Sequence, residues 1–194
     1  MTQGRLWSWV GGVGACRLSV VLLASVFLAS VIGIKEAQAS SATTPEVLYA
    51  PEDKPADRLV ALYQEARTTI YLAMYSLTYP PIVKALVAAK KRGVDVRVLT
   101  DRNKLDDRRQ RTALETLRLA GIPIKVNRHD GLMHLKQAVV DDRMNTSGSM
   151  NQTTSGARYN DERLDIFHDP ASTQRAKKKF LAMWDDSSRY EHWR

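Results

Sequence analysis

Residues 134–162 read HLKQAVVDDRMNTSGSMNQTTSGARYNDE, and the fold turns on how the first half of that stretch is laid out. Alternation makes its opening a strand, with His134, Lys136 and Ala138 on one face and Leu135, Gln137 and Val139 on the other. Asp141-Asp142 forms a turn, and Met144 to Ser149 returns as a second strand. A histidine and a lysine two apart on a strand share a face, so an imidazole and an ammonium can reach one anion together. Ser149 and Asn151 then supply short hydrogen-bonding side chains at the strand end. A nucleophile or proton donor, a fixed cation and neutral donors make a constellation for a phosphoryl group.

Upstream, the pattern alternates helix and strand. Val47 to Ala50 reads as a short strand. Asp53 to Arg67 reads as a helix, because Leu59, Leu62, Tyr63 and Ala66 recur at three- and four-residue steps. Thr69 to Leu77 is rich in β-branched and aromatic residues and predicts a buried strand. Pro80-Pro81 opens a helix whose first turn tolerates proline, and Gly93 ends it behind Lys90, Lys91 and Arg92. Val94 to Thr100 is a third strand, Asp101 to Asp107 a polar loop, and Arg108 to Leu119 a helix stopped by Gly121. Ile122 to Asn127 predicts a fourth strand, with Pro123 tolerated near its start. After the hairpin come a strand at Leu164 to Phe167 and a helix at Ala171 to Asp185. The expected architecture is a single α/β domain with a mixed, mostly parallel sheet flanked by helices.

The chain has 194 residues, enough for one domain with a full core, and a formal charge of +8. Residues 1–39 hold Arg5, Arg17 and Lys35 against Glu36, which leaves +6 on residues 40–194. That sign favours anionic partners such as nucleic acid or an anionic membrane surface. Two arginines followed by an uncharged run from Leu18 to Ile34 and by Ala37-Gln38-Ala39 predict a signal peptide over 1–39, cleaved after Ala39. An uncleaved anchor is the competing reading. Residues 40–45 read as a flexible leader, and 46–194 as the folded domain, periplasmic or secreted. Cys16 is the single cysteine, so the mature chain would hold together without disulfides.

H-x-K-x-x-x-x-D at His134, Lys136 and Asp141, followed after six residues by Gly148-Ser149-x-Asn151, resembles the signature of the phospholipase D superfamily at every position. The likeness extends from Tyr49 to Trp184. The segments YAPEDKPADRLVALYQEARTTIYLAMYSLTYPPIVKALVAAKKRGVDVRVLTD and DERLDIFHDPASTQRAKKKFLAMW are similar to those of its small, secreted, single-motif nucleases. They are also similar to the mitochondrial single-motif members, known as nucleases or cardiolipin hydrolases. The resemblance implies the phospholipase D / nuclease fold, catalysis without metal or other cofactor, and a homodimer in which two copies of His134 share one site. It also implies that Glu162 hydrogen-bonds an imidazole, and that this can be the partner subunit's.

Chemistry follows from the residue types. A free imidazole titrates near about 6.5, so at neutral pH it offers a lone pair. His134 would attack phosphorus and form a phosphohistidine, while Lys136, Ser149 and Asn151 hold the non-bridging oxygens. In-line displacement needs an acid on the far side, which the second histidine supplies. Asp141 completes the signature and is counted with the site residues, but its spacing puts it at the far end of the strand, where a structural role is expected. Asn160 is a candidate for supporting the site, and His129 for an acid within one chain. Arg108, Arg109 and Arg111 are candidates for substrate phosphate contacts. No residues show metal-ligand spacing. The function expected is a metal-independent phosphodiesterase, foremost an endonuclease with little sequence preference. The alternatives are a phospholipase D acting on phospholipid headgroups and a non-catalytic nucleic-acid-binding protein.

Overall fold

In the computed structural model, which describes residues 44–194, strand and helix alternate as far as Asn127 and hairpins follow. The signal segment expected at 1–39 and most of the leader expected at 40–45 lie outside the described residues. The elements are β1 (Glu46–Ala50), α1 (Pro55–Glu65), β2 (Thr69–Met74), α2 (Pro80–Lys91), β3 (Asp95–Thr100), α3 (Arg108–Leu119), β4 (Ile124–Asn127), β5 (Lys136–Val140), β6 (Met144–Gly148), α4 (Thr154–Arg158), β7 (Glu162–Phe167), α5 (Pro170–Asp185) and β8 (Tyr190–His192). A 3₁₀ turn at Arg102–Lys104 interrupts the loop expected to be irregular. That turn, α4 and β8 were not among the expected elements. All three are too short for a periodic pattern to register.

Local chemistry explains most boundaries. Lys54 is left-handed (φ 50°), so α1 waits for Pro55, two residues later than expected. Asp107 caps α3 by accepting from Arg109 N at 2.7 Å and Gln110 N at 3.3 Å. Asp169 caps α5 by accepting from Ser172 N at 2.6 Å. At the other end of α5 the Lys125 ammonium, buried in the sheet, donates to Trp184 O at 2.5 Å. A cation there meets the carbonyl end of the helix dipole.

The strands form one sheet in the order β1-β7-β6-β5-β2-β3-β4-β8. The crossovers through α2 and α3 make β2, β3 and β4 parallel. The other five pairings are antiparallel, so the sheet is mixed but not mostly parallel as expected. Connection length explains the first of these reversals: a parallel return needs about a dozen residues or more, and residues 141–143 between β5 and β6 allow only a hairpin. β7 returns antiparallel to β6 after the longer segment 149–161, which carries α4. β2 is buried on both faces: Ile70, Leu72 and Met74 pack against α1, α2 and α3, and Tyr71 and Ala73 against α5. Phe180 of α5 stacks on Tyr71 with ring centres 5.1 Å apart. The result is three layers, with helices on both faces of the sheet.

The β5–β6 turn does more than reverse the chain. Asp141 and Asp142 are both left-handed (φ 52° and 55°), and Arg143 N closes the turn on Val140 O at 3.1 Å. Aspartate tolerates that region, and a two-residue left-handed turn matches the twist of a hairpin. The Asp141 carboxylate accepts from the N–H groups of Arg67, Thr68 and Thr69 at 2.8–3.1 Å and from the Thr68 hydroxyl at 3.0 Å. It thereby satisfies the orphan donors at the start of β2. Burial alone would push its carboxyl up, but these donors outweigh burial and hold it below the usual carboxylate value.

A depressed carboxylate stabilises the fold above its unfolded pKa of about 3.9, and the contribution is lost as pH falls through the lower folded value. Asp141→Asn is expected to lower the melting temperature at neutral pH. The gap to wild type should close as the pH is taken down through the acidic range, read by circular dichroism. A gap that stays constant into acid would show that the charge of Asp141 does not hold the strand start.

Candidate active site

One edge of the sheet collects the chemistry. The carboxyl ends of the parallel strands β2, β3 and β4 point there, which is where open α/β sheets bind ligands. Because β5 runs antiparallel to β2, its first residue meets the last residue of β2 in the register Met74↔Lys136. β6 reverses again and ends there at Gly148, and β7 begins there at Glu162. Three signature segments distant in the chain therefore share one rim.

His134 lies just before β5 rather than within it, in an exposed approach. Two residues on, Lys136 is 9% exposed. Its ammonium is 3.0 Å from Nε2 and 3.1 Å from Nδ1 of His134, and 3.0 Å from the His134 carbonyl oxygen. An ammonium only donates, so a hydrogen bond between them uses a lone pair of the neutral imidazole. Tyr75, the residue after β2, packs against the His134 ring at 4.6 Å between centres and lies 5.2 Å from Lys136 Nζ. The backbone is pinned on both sides of His134: Tyr75 N donates to Leu135 O at 3.0 Å, and Met133 N to the buried Asp101 at 2.6 Å.

The second signature segment is shaped by close backbone approach. A Cβ on Gly148 (φ 149°) would sit 2.1 Å from Arg163 O, and one on Gly156 2.4 Å from Asn151 O. Only glycine fits either place. Ser149 Oγ donates to Glu162 Oε2 and accepts from Arg163 N at 3.1 Å. Asn160 Nδ2 donates to the other Glu162 oxygen at 3.0 Å. Asn151 Oδ1 is buried without a hydrogen-bond partner. Among the described residues, no hydrogen bond joins Glu162 to the His134 of the same chain.

Two expected site residues are not brought to this rim. Asp141 lies at the opposite end of β5, where it accepts from four donor groups and holds the start of β2. Arg111 bonds Leu105 O through Nε at 3.1 Å and through a terminal nitrogen at 2.8 Å, closing the loop before α3. Its guanidinium thus serves the backbone. Arg108 and Arg109 line a groove of about 800 Å³ beside α2, with Lys84 and Thr154. A smaller cavity of about 340 Å³ opens at His134 and is shared with His129, Leu132, Lys179, Arg189 and Tyr190. His129 faces Tyr190 edge-on at 5.5 Å, and its Nδ1 lies 2.6 Å from Asp130 O. Tyr75 and Asp101 were missed by sequence reasoning. Their positions at the carboxyl ends of two expected parallel strands were the available signal.

Burial lowers the Lys136 amine below the usual lysine value, and the Glu162 carboxylate partly opposes that shift. Lys136 should therefore titrate below about 10.4. Replacing Glu162 by Gln should move it further down, because the opposing charge is removed. A pH titration of the lysine side-chain amines by NMR reads both. A Lys136 midpoint unmoved or raised by Glu162→Gln would show that the carboxylate does not act on this ammonium.

The family described as "Cardiolipin synthase, PLD-like domain" matches residues 59–184. The mitochondrial cardiolipin hydrolase of Danio rerio is 32% identical over 131 residues, covering 67% of this chain and 57% of its own. A phospholipase D of Rickettsia conorii is 30% identical over 120 residues, covering 62% of this chain and 53% of its own. The chain thus spans little more than half the length of these curated relatives. Among solved structures, Nuc from Salmonella typhimurium, a phospholipase D family member, superposes with a TM-score of 0.72 at 30% identity, covering 78% of this chain and 98% of Nuc. NucT from Helicobacter pylori shares the fold, with a TM-score of 0.67 at 20% identity over 73% of this chain and 96% of its own.

Proposed function

The chain belongs to the phospholipase D-like family, and on that premise we propose that it is a phosphodiesterase that works through a phosphohistidine, with a nucleic-acid strand as substrate. The observation that carries this is the His134 ring held by the Lys136 ammonium at 3.0–3.1 Å, on a rim shared with Ser149, Asn151 and Glu162.

An entering phosphate replaces the imidazole as acceptor for Lys136, which frees the lone pair for attack. Ser149 and Asn151 lie on the same rim to hold the non-bridging oxygens as charge develops on them. A nitrogen–phosphorus bond forms as the bond to the leaving oxygen breaks, and a second histidine protonates that oxygen in line. Water then attacks phosphorus, the second histidine takes its proton, and the nitrogen–phosphorus bond breaks to release the product. In this proposal the second histidine is His134 of an identical subunit across a two-fold axis. Ser149 and Asn160 already take both oxygens of Glu162 within one chain, and Glu162 then meets an imidazole from the partner.

The net positive charge and the Arg108–Arg109 groove support a polyanionic strand as substrate. The names of the curated relatives support a second reading, a phospholipid diester. The leader read from the sequence at 1–39 supports a location outside the cytoplasm.

Imidazole and ammonium between them supply nucleophile and charge stabilisation, so hydrolysis of bis(p-nitrophenyl) phosphate is expected to persist in EDTA. Activity lost on chelation and restored by a divalent ion would sink this mechanism. His134→Asn is expected to abolish turnover while DNA binding, steeply salt-dependent, survives. Lys136→Ala is expected to cost about 10²–10³ in rate.

Subunit mixing tests the shared site. After random exchange with His134→Asn chains, activity should fall as the square of the wild-type fraction. A linear fall, with exchange confirmed, would mean that each chain carries a complete site. His129, which lines the same cavity as His134, would then be the acid.

A further inference from the structure

Lys104 ends the 3₁₀ turn that follows β3, and two side chains tie that turn to the approach of His134. Asp101, fully buried, accepts from Asn103 N at 2.9 Å through one oxygen and from Met133 N at 2.6 Å through the other. Asn127, also buried, accepts from Arg102 N at 2.8 Å and donates to Gly131 O at 3.1 Å. Each side chain bridges the same two segments, so the turn and the residues before His134 move as one body. The Lys104 ammonium lies 4.7 Å from the centre of the Tyr75 ring. That is the ring against which His134 packs at 4.6 Å, with Lys136 Nζ at 5.2 Å.

Two ammonium groups therefore converge on one phenol beside the nucleophile. Lys104 is half-buried, and among the described residues no carboxylate lies within salt-bridge distance of it. Partly desolvating a cation without a counter-ion is unfavourable, and attraction to an aromatic face compensates only in part. Lys136 already matches the single negative charge of the diester being cut. A second cation held against the same ring answers a second negative charge on the same substrate.

We propose that Lys104 is a further phosphate-binding residue, and that the site is built for substrates carrying a second phosphodiester next to the scissile one. This role rests on the phosphodiesterase reading given above. A polynucleotide meets the requirement, since its charges repeat along the strand. A diphosphate lipid such as cardiolipin meets it as well, whereas bis(p-nitrophenyl) phosphate and phosphatidylglycerol carry one phosphate each.

The test compares full-length wild type with Lys104→Met, which keeps the apolar stem and removes the charge. The substrates are bis(p-nitrophenyl) phosphate, an oligothymidylate eight nucleotides long, and vesicles of cardiolipin or of phosphatidylglycerol. The loss in kcat/KM on the oligonucleotide should exceed that on bis(p-nitrophenyl) phosphate by about tenfold, mainly through KM. The salt slope of binding should fall by about one unit, and Lys104→Arg should restore most of both. A selective loss on cardiolipin over phosphatidylglycerol, with oligonucleotide cleavage absent in wild type, would assign the same second-phosphate role to a lipid substrate. Equal losses on one-phosphate and many-phosphate substrates, or no loss on either, overturn the role of Lys104 alone. A wild type inactive on every diester overturns the phosphodiesterase reading and this role with it.

Discussion

The antiparallel seating of β5 against β2 is the constraint on which the rest depends. β2 is buried on both faces and lies at the heart of the sheet, so its partner's register is fixed by two cores at once. A slip of one residue would turn Val139 out of the α5 side and move Lys136 to the wrong face. Seated as it is, β5 starts where the parallel strands end. Lys136 thus emerges at the edge where helix-connected strands leave room for a ligand. The β5–β6 hairpin then returns Gly148 to that same edge, and the segment 149–161, with α4, brings Glu162 there as well.

The site is a balance between burial and charge. Lys136 is nearly covered, which disfavours its charged form, and Glu162, two strands away on β7, restores part of that loss. Tyr75 offers its ring to the imidazole of His134 and to two ammonium groups. Its backbone N–H holds the strand on the far side of His134. The buried carboxylate of Asp101 does comparable work from the other side. His134 and Lys136 are thus held by neighbours whose own positions are set by the ends of β2, β3 and β4.

Much of this was legible in the chain. The helices carry three- and four-residue apolar steps and proline or aspartate at their starts, and α2, α3 and α5 lie within a residue or two of their expected bounds. The signature segments predicted a paired hairpin with histidine and lysine on one side. The far-end role of Asp141 followed from counting residues along a strand. The sheet's direction was less legible, because alternation says which face a residue takes but not which strand lies beside it. The short elements escaped for a different reason. A three-residue strand such as β8 or a single 3₁₀ turn exists only because its neighbours complete its hydrogen bonds.

By itself, then, the sequence determined the order of the longer elements, the burial of β2, the presence of a phosphate-type constellation and the family likeness. These are local, since period, capping and spacing are written in consecutive residues. Only the tertiary structure decided which distant groups meet. It placed Tyr75, Asp101 and Lys104 around His134, committed Arg111 to a backbone carbonyl, and showed that Gly148 is required by the approach of Arg163. The physical reason is that such contacts arise from strand order and register, which depend on the joint packing of two cores and are not encoded in any one segment.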